Sequence, residues 1–101
     1  MMAMKAIGGD LGQPRRPAFV KVPAREVLID LVALYPLPPH LDGKYHPDGL
    51  QIRQIHRGVL TEWGISESTG EWFGKVTYTV RARLREDTVT QWVPGWCLKP
   101  V

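Results

Sequence analysis

From residue 75 to residue 85 the chain alternates in strict period two. Val76, Tyr78, Val80, Ala82 and Leu84 fall on one face, and Lys75, Thr77, Thr79, Arg81, Arg83 and Arg85 on the other. Successive strand side chains point to opposite sides of a sheet, so this pattern predicts a long strand over 71–84 with one buried face. Val59, Thr61, Trp63 and Ile65 alternate in the same way, which predicts an earlier strand with these four on one face and Trp63 in the core. The Ser66–Gly70 segment between them reads as a hairpin loop closed by a glycine. Residues 50–56 read as a further strand, Glu86-Asp87 as a tight turn, and 88–93 as the returning strand. Pro94-Gly95-Trp96-Cys97-Leu98 reads as a short 3₁₀ turn before a last extended segment.

Residues 24–35 fit two descriptions. At helical spacing Val27, Leu28, Leu31, Val32 and Tyr35 form one apolar stripe, Pro23 suits a first helical turn, and Pro36 ends the segment. The β-branched Val27, Ile29 and Val32 favour a strand instead. The helical stripe is the better match, and the strand stays open. Seven of the nine prolines precede residue 48 and none lies in 48–93. Proline lacks a ladder donor, so the sheet is expected in that proline-free stretch. Residues 36–49, with Asp42-Gly43 and His46-Pro47-Asp48-Gly49, read as a surface loop. Residues 1–17, with Gly8, Gly9 and Gly12 ahead of Pro14-Arg15-Arg16-Pro17, read as a loose basic arm before a single domain over 18–101.

Composition narrows the class. Leu, Ile, Val and Phe make up 27 of 101 residues, enough for one modest core in one domain. No apolar run approaches the ~18 residues of a membrane span, and the first residues lack the apolar stretch of a signal peptide. The single cysteine, Cys97, excludes an intrachain disulfide. It points to a reducing, cytoplasmic setting.

Short strands, a tight final hairpin and a 3₁₀ turn before the terminal strand resemble an SH3-like small β-barrel. The resemblance rests on residues 57–63, on Glu71-Trp72-Phe73-Gly74-Lys75-Val76 and on Trp92-Val93-Pro94-Gly95-Trp96-Cys97-Leu98-Lys99-Pro100. It is similar to small uncharacterised proteins of actinobacteria and their phages that end in a comparable closing segment. The type II dihydrofolate reductases share the barrel plan and line a pore with a Val-Gln-Ile-Tyr-Pro run. Thr90-Gln91-Trp92-Val93-Pro94 keeps only Gln91 and Pro94 of that run, with Val93 in place of the pore tyrosine. This likeness supports the fold and not the activity.

The chemistry-bearing residues do not assemble into an enzyme motif. His40, His46 and His56 with Asp42, Asp48 and Cys97 lack zinc spacing and the EF-hand ladder. Cys97 sits between Trp96 and Leu98 as a small buried hydrophobe would, and no phosphate-binding glycine loop is present. No catalytic residue, metal or cofactor is therefore assigned. The strongest feature is the polar face carrying Lys75, Arg81, Arg83 and Arg85. With a turn at Glu86-Asp87, Arg81 would stand opposite Trp92 and Arg83 opposite Thr90, giving a basic stripe beside an exposed indole. Residues 75–101 carry net charge +3 and residues 58–74 net −3, so Glu62 and Lys75 would face each other across the first hairpin.

The expectation is a mainly β, SH3-like half-open barrel of four or five antiparallel strands, with one N-terminal helix or extra strand. The expected function is a non-enzymatic binding module that takes nucleic acid, or an acidic protein surface, on Lys75, Arg81, Arg83, Arg85 and Trp92, extended by Arg15 and Arg16. The alternatives are an accessory factor of phage or mobile-element type that binds a host complex, and a homo-oligomer paired through an edge strand.

Overall fold

The computed structural model describes residues 17–101. The arm assigned to 1–17, including Arg15 and Arg16, lies outside the described residues except for Pro17. Five strands follow in order: β1 (Phe19–Asp30), β2 (Ile55–Ile65), β3 (Trp72–Arg81), β4 (Glu86–Pro94) and β5 (Leu98–Pro100). A one-turn helix, α1 (Leu31–Leu34), follows β1, and a 3₁₀ turn, Gly95–Cys97, precedes β5. Every pairing is antiparallel in one open sheet of order β4-β3-β2-β1-β5. The last strand thus returns to the first, as the mainly β, half-open expectation requires.

The core lies on one face of this sheet, called the inner face below. Val27, Ile29, Leu31, Leu60, Val76, Tyr78, Val80 and Val93 are buried together. Burying such side chains is worth roughly 1.5–3 kcal/mol each before entropy is counted. Ile29 is fully enclosed because β1 is paired on both sides, with His56 of β2 and Leu98 of β5 as its neighbours in register.

Residues 24–30 are strand, not helix. Between two partners the period-two set Val27, Ile29 outweighs the helical stripe, a case of tertiary context overriding local preference. Only the end of the segment is helical: the Asp30 carboxylate accepts from the Ala33 amide at 3.1 Å and caps α1. Pro23 does not start a helix. Val22, Pro23 and Ala24 fall between the paired Lys21 and Arg25, opposite a similar shift in β2 between Leu60 and Glu62. A missing N–H is harmless in such a bulge.

That second shift corrects the face assignment in β2. Leu60 is opposite Val76, but Glu62 is opposite Lys75, so Thr61 is the extra residue. Val59 is left outside, while Trp63 joins Leu60 on the inner side and packs against the core. The expected strand over 50–56 is also displaced. Residues 50–54 remain loop, held where the Gln51 amide donates to the Arg81 carbonyl at 2.8 Å, and pairing begins at Ile55. The Ser66–Gly70 loop is as expected, with Gly70 at φ +74° and its amide donating to the Ser66 carbonyl.

No tryptophan is fully buried, although the alternation of 59–65 places Trp63 in the core. Trp63 and Trp72 are half-buried, Trp92 and Trp96 exposed. Aliphatic residues, Tyr78 and Cys97 fill the core instead.

The closest approach of a glycine to neighbouring backbone is at Gly58. A Cβ there would lie 2.6 Å from the Thr77 carbonyl oxygen and 2.7 Å from Ile29 Cδ1. Gly58→Ala is therefore expected to destabilise by about 1–3 kcal/mol, since the backbone must shift. The check is urea unfolding, where the midpoint falls at unchanged slope.

Candidate functional site

The basic stripe is dismantled by the position of the last hairpin. Arg81 pairs with Glu86, and the Ala82 amide donates to the Arg85 carbonyl, so the turn is Ala82–Arg85 and not Glu86-Asp87. Arg83 and Arg85 lie in the turn, and Leu84 beside them is 87% exposed. Each arginine meets a carboxylate: Arg81 with Glu86 at 3.0 Å, Arg83 with Asp48 at 3.2 Å, Arg85 with Asp87 at 3.1 Å. All three pairs are exposed, and such pairs are individually weak.

The register shift brings Lys75, not Arg81, opposite Trp92. The Lys75 ammonium stands 6.0 Å from the Trp92 ring centroid, at the outer limit of a cation–π contact. Glu62 faces Lys75 in register as expected. Among the described residues, however, the lysine forms no ion pair. Trp92 is exposed on the outer face, as its phase against Val89 and Val93 requires.

Phe19, unremarked in the sequence, completes this surface. Its ring lies 5.9 Å from that of Trp92, tilted by 56°. A Cβ at Gly64 would lie 3.0 Å from Trp92 and 3.2 Å from Phe19, so the missing side chain is what lets both rings settle over β2. Phe73, opposite Gly64, helps to line the cleft of about 240 Å³ between them. The available signal was the pair of aromatic-glycine steps, Trp63-Gly64 and Phe73-Gly74, which face each other crosswise in register. Lys21 shares this face, two residues along β1 from Phe19 and opposite Glu62.

The inner face has its own opening at the same end. Val20, Trp63, Trp72 and Gly95 line an apolar cavity of about 440 Å³. On its far side Trp63 also walls a smaller cavity of about 170 Å³ that Arg25, Leu98, Lys99 and Pro100 help to line.

Polar groups near the core are satisfied internally. The Tyr78 hydroxyl donates to Gln91 Oε1 at 2.6 Å, and the Gln91 amide nitrogen donates to the Tyr35 hydroxyl at 3.3 Å. Burial raises the Tyr78 phenol above its ordinary value, with Tyr35 adding to the effect. His56 is buried against Tyr78, with Nε2 3.2 Å from the Ile52 carbonyl. Cys97 is fully buried, and desolvation raises its thiol too, as the reading of it as a small hydrophobe implies. His40, Asp42, His46 and Asp48 are exposed, and no metal-binding cluster forms among the described residues.

Comparison of the chain with protein-family models, with curated proteins and with solved structures gives no match.

Tyr78 makes a pH prediction. A phenol raised by folding favours the native state below its ordinary pKa of 10.0, and that contribution is lost as pH climbs through the raised value. Wild type should therefore gain more stability, relative to its value at pH 11, on return to pH 9 than Tyr78→Phe does, both pH values being about one unit either side of the reference. Parallel pH profiles of the urea midpoint for the two proteins would show the phenol has no part. Alanine at Arg81, Arg83 or Arg85 should each change stability by less than about 1 kcal/mol in the same assay.

Proposed function

We propose that the chain is a non-enzymatic binding module that takes a single strand of nucleic acid on the outer face of its sheet. Bases stack on Trp92 and Phe19, and phosphates meet Lys75 and Lys21. The observation that carries this reading is one cluster: an exposed indole, a second ring 5.9 Å away, and an ammonium 6.0 Å from the indole. Aromatic faces accept any base, and stacking contributes roughly 1–3 kcal/mol per base. Lysines beside the rings supply phosphate attraction without fixing sequence. Arg81, Arg83 and Arg85, each held by a carboxylate, take no part in this cluster.

A protein partner is the second reading. It is favoured by that same pairing, which leaves the outer face nearly balanced in charge beside large exposed rings, a composition found at interface centres.

The test is fluorescence anisotropy of a labelled oligothymidylate. Two phosphate contacts should weaken binding about sevenfold between about 50 and 200 mM salt. Trp92→Ala should abolish both binding and the accompanying tryptophan quenching, and Lys75→Glu should reduce binding and flatten the salt dependence. Absence of binding at low salt would reject nucleic acid and leave the protein-partner reading.

A further inference from the structure

The inner-face opening across Trp63 combines three features that the outer-face reading does not use. One side is apolar, lined by Val20, Trp63, Trp72 and Gly95 over about 440 Å³. Its other side, past the shared Trp63 ring, is flanked by Arg25 and Lys99. Both cations are exposed, and among the described residues neither forms an ion pair, whereas Arg57, Arg81, Arg83 and Arg85 all do. Finally, β5 is an edge of the sheet, and its residues Leu98, Lys99 and Pro100 line this side of the opening.

Each feature selects against some occupants. A purely polar ligand would leave the tryptophan-walled cavity wet. A basic ligand would meet Arg25 and Lys99 with like charge. A rounded apolar molecule would cover the tryptophan-lined side and ignore the cations. A segment with one large apolar side chain next to carboxylates satisfies both halves, and an extended backbone can run along an open strand edge. We infer that this groove binds an extended acidic peptide segment of a partner protein, its apolar anchor between Trp63 and Trp72 and its carboxylates against Arg25 and Lys99. The surface lies on the opposite face of the sheet from Trp92, Phe19 and Lys75, so it does not depend on the nucleic-acid reading.

The groove is built by the same bulges that re-phase β1 and β2. Val20 is opposite Trp63 below the shift, and Arg25 is opposite Leu60 above it. The apolar anchor site and the cationic side are thus adjacent by construction, with the bulged residues Val22 to Ala24 between them.

The probe is a fluorescein-labelled octapeptide with an isoleucine-phenylalanine centre flanked by glutamates. Two companions carry lysines for the glutamates or serines for the apolar centre. Full-length protein should bind the glutamate peptide and neither companion in an anisotropy titration at low salt. The double reversal Arg25→Glu with Lys99→Glu should weaken the glutamate peptide by about tenfold or more and turn binding toward the lysine peptide. A charge-matched control, Lys44→Glu with Arg57→Glu, should bind the glutamate peptide within about twofold of wild type, because those cations lie away from the groove. Circular dichroism melts should show both double variants folded, as expected for exposed positions. Absence of binding to wild type, equal binding by the serine companion, or an equal loss in the charge-matched control would each overturn the inference. None of these outcomes bears on oligothymidylate binding through Trp92.

Discussion

The structure depends on a phase change at one height of the sheet. In β2 the extra residue Thr61 separates Leu60, which faces the core, from Glu62, which faces solvent. In β1 three residues, Val22 to Ala24, stand opposite Thr61 alone and make the matching adjustment. Without it, strict alternation would carry Glu62 and Gly64 inward and turn Trp63 out beside Val59. A one-residue slip exchanges the faces of everything beyond it, so a strand with a buried face cannot tolerate an unmatched bulge. Here the two bulges sit opposite each other, and the change of phase is shared.

Most of the surface chemistry follows from that adjustment. On the inner side it brings Trp63 against the core and sets Val20 beside it, leaving a cavity with a tryptophan on either side. On the outer side it presents Gly64, over which the rings of Phe19 and Trp92 lie. Large rings that an aliphatic core does not need are thus displayed at one end of the sheet, on both faces. The other end holds the polar bonds that hold the long loop: Gln51 on the Arg81 carbonyl, and Asp48 on Arg83.

The two proposed surfaces are related by this geometry. One carries exposed rings with lysines, and the other an apolar cleft beside cations that form no ion pair among the described residues. Both exploit the same physical fact: a thin sheet with a core on only part of one face has ring edges and cations left over. The arginines of the final turn take no comparable part, since Glu86, Asp87 and Asp48 already stand within 3.2 Å of them.

The alternation of residues 76–80, the glycine-closed hairpin at Ser66–Gly70, the 3₁₀ turn before a last strand, and the placement of Trp92 outside and Cys97 inside were all legible in the amino-acid order. Each depends on period or on a local turn residue, and neither needs a partner to be known. Lys75 beside Trp92 was not legible as a pair, because the hairpin turn lies at Ala82–Arg85 rather than at the acidic Glu86-Asp87. A residue's cross-strand neighbour changes by two for each residue the turn moves. Residues 24–35 read better as a helix than as a strand, and the presence of β2 on one side and β5 on the other makes 24–30 strand instead. The side of the sheet on which Trp63 falls, and the meeting of Phe19 with a ring 73 positions away, were decided by opposed bulges. The amino-acid order alone carries the alternation of residues 76–80 and the reversal at Ser66–Gly70, because each rests on a local period or a local turn residue. Tertiary structure alone decided register and phase, because these are properties of two strands together and are set by what each packs against.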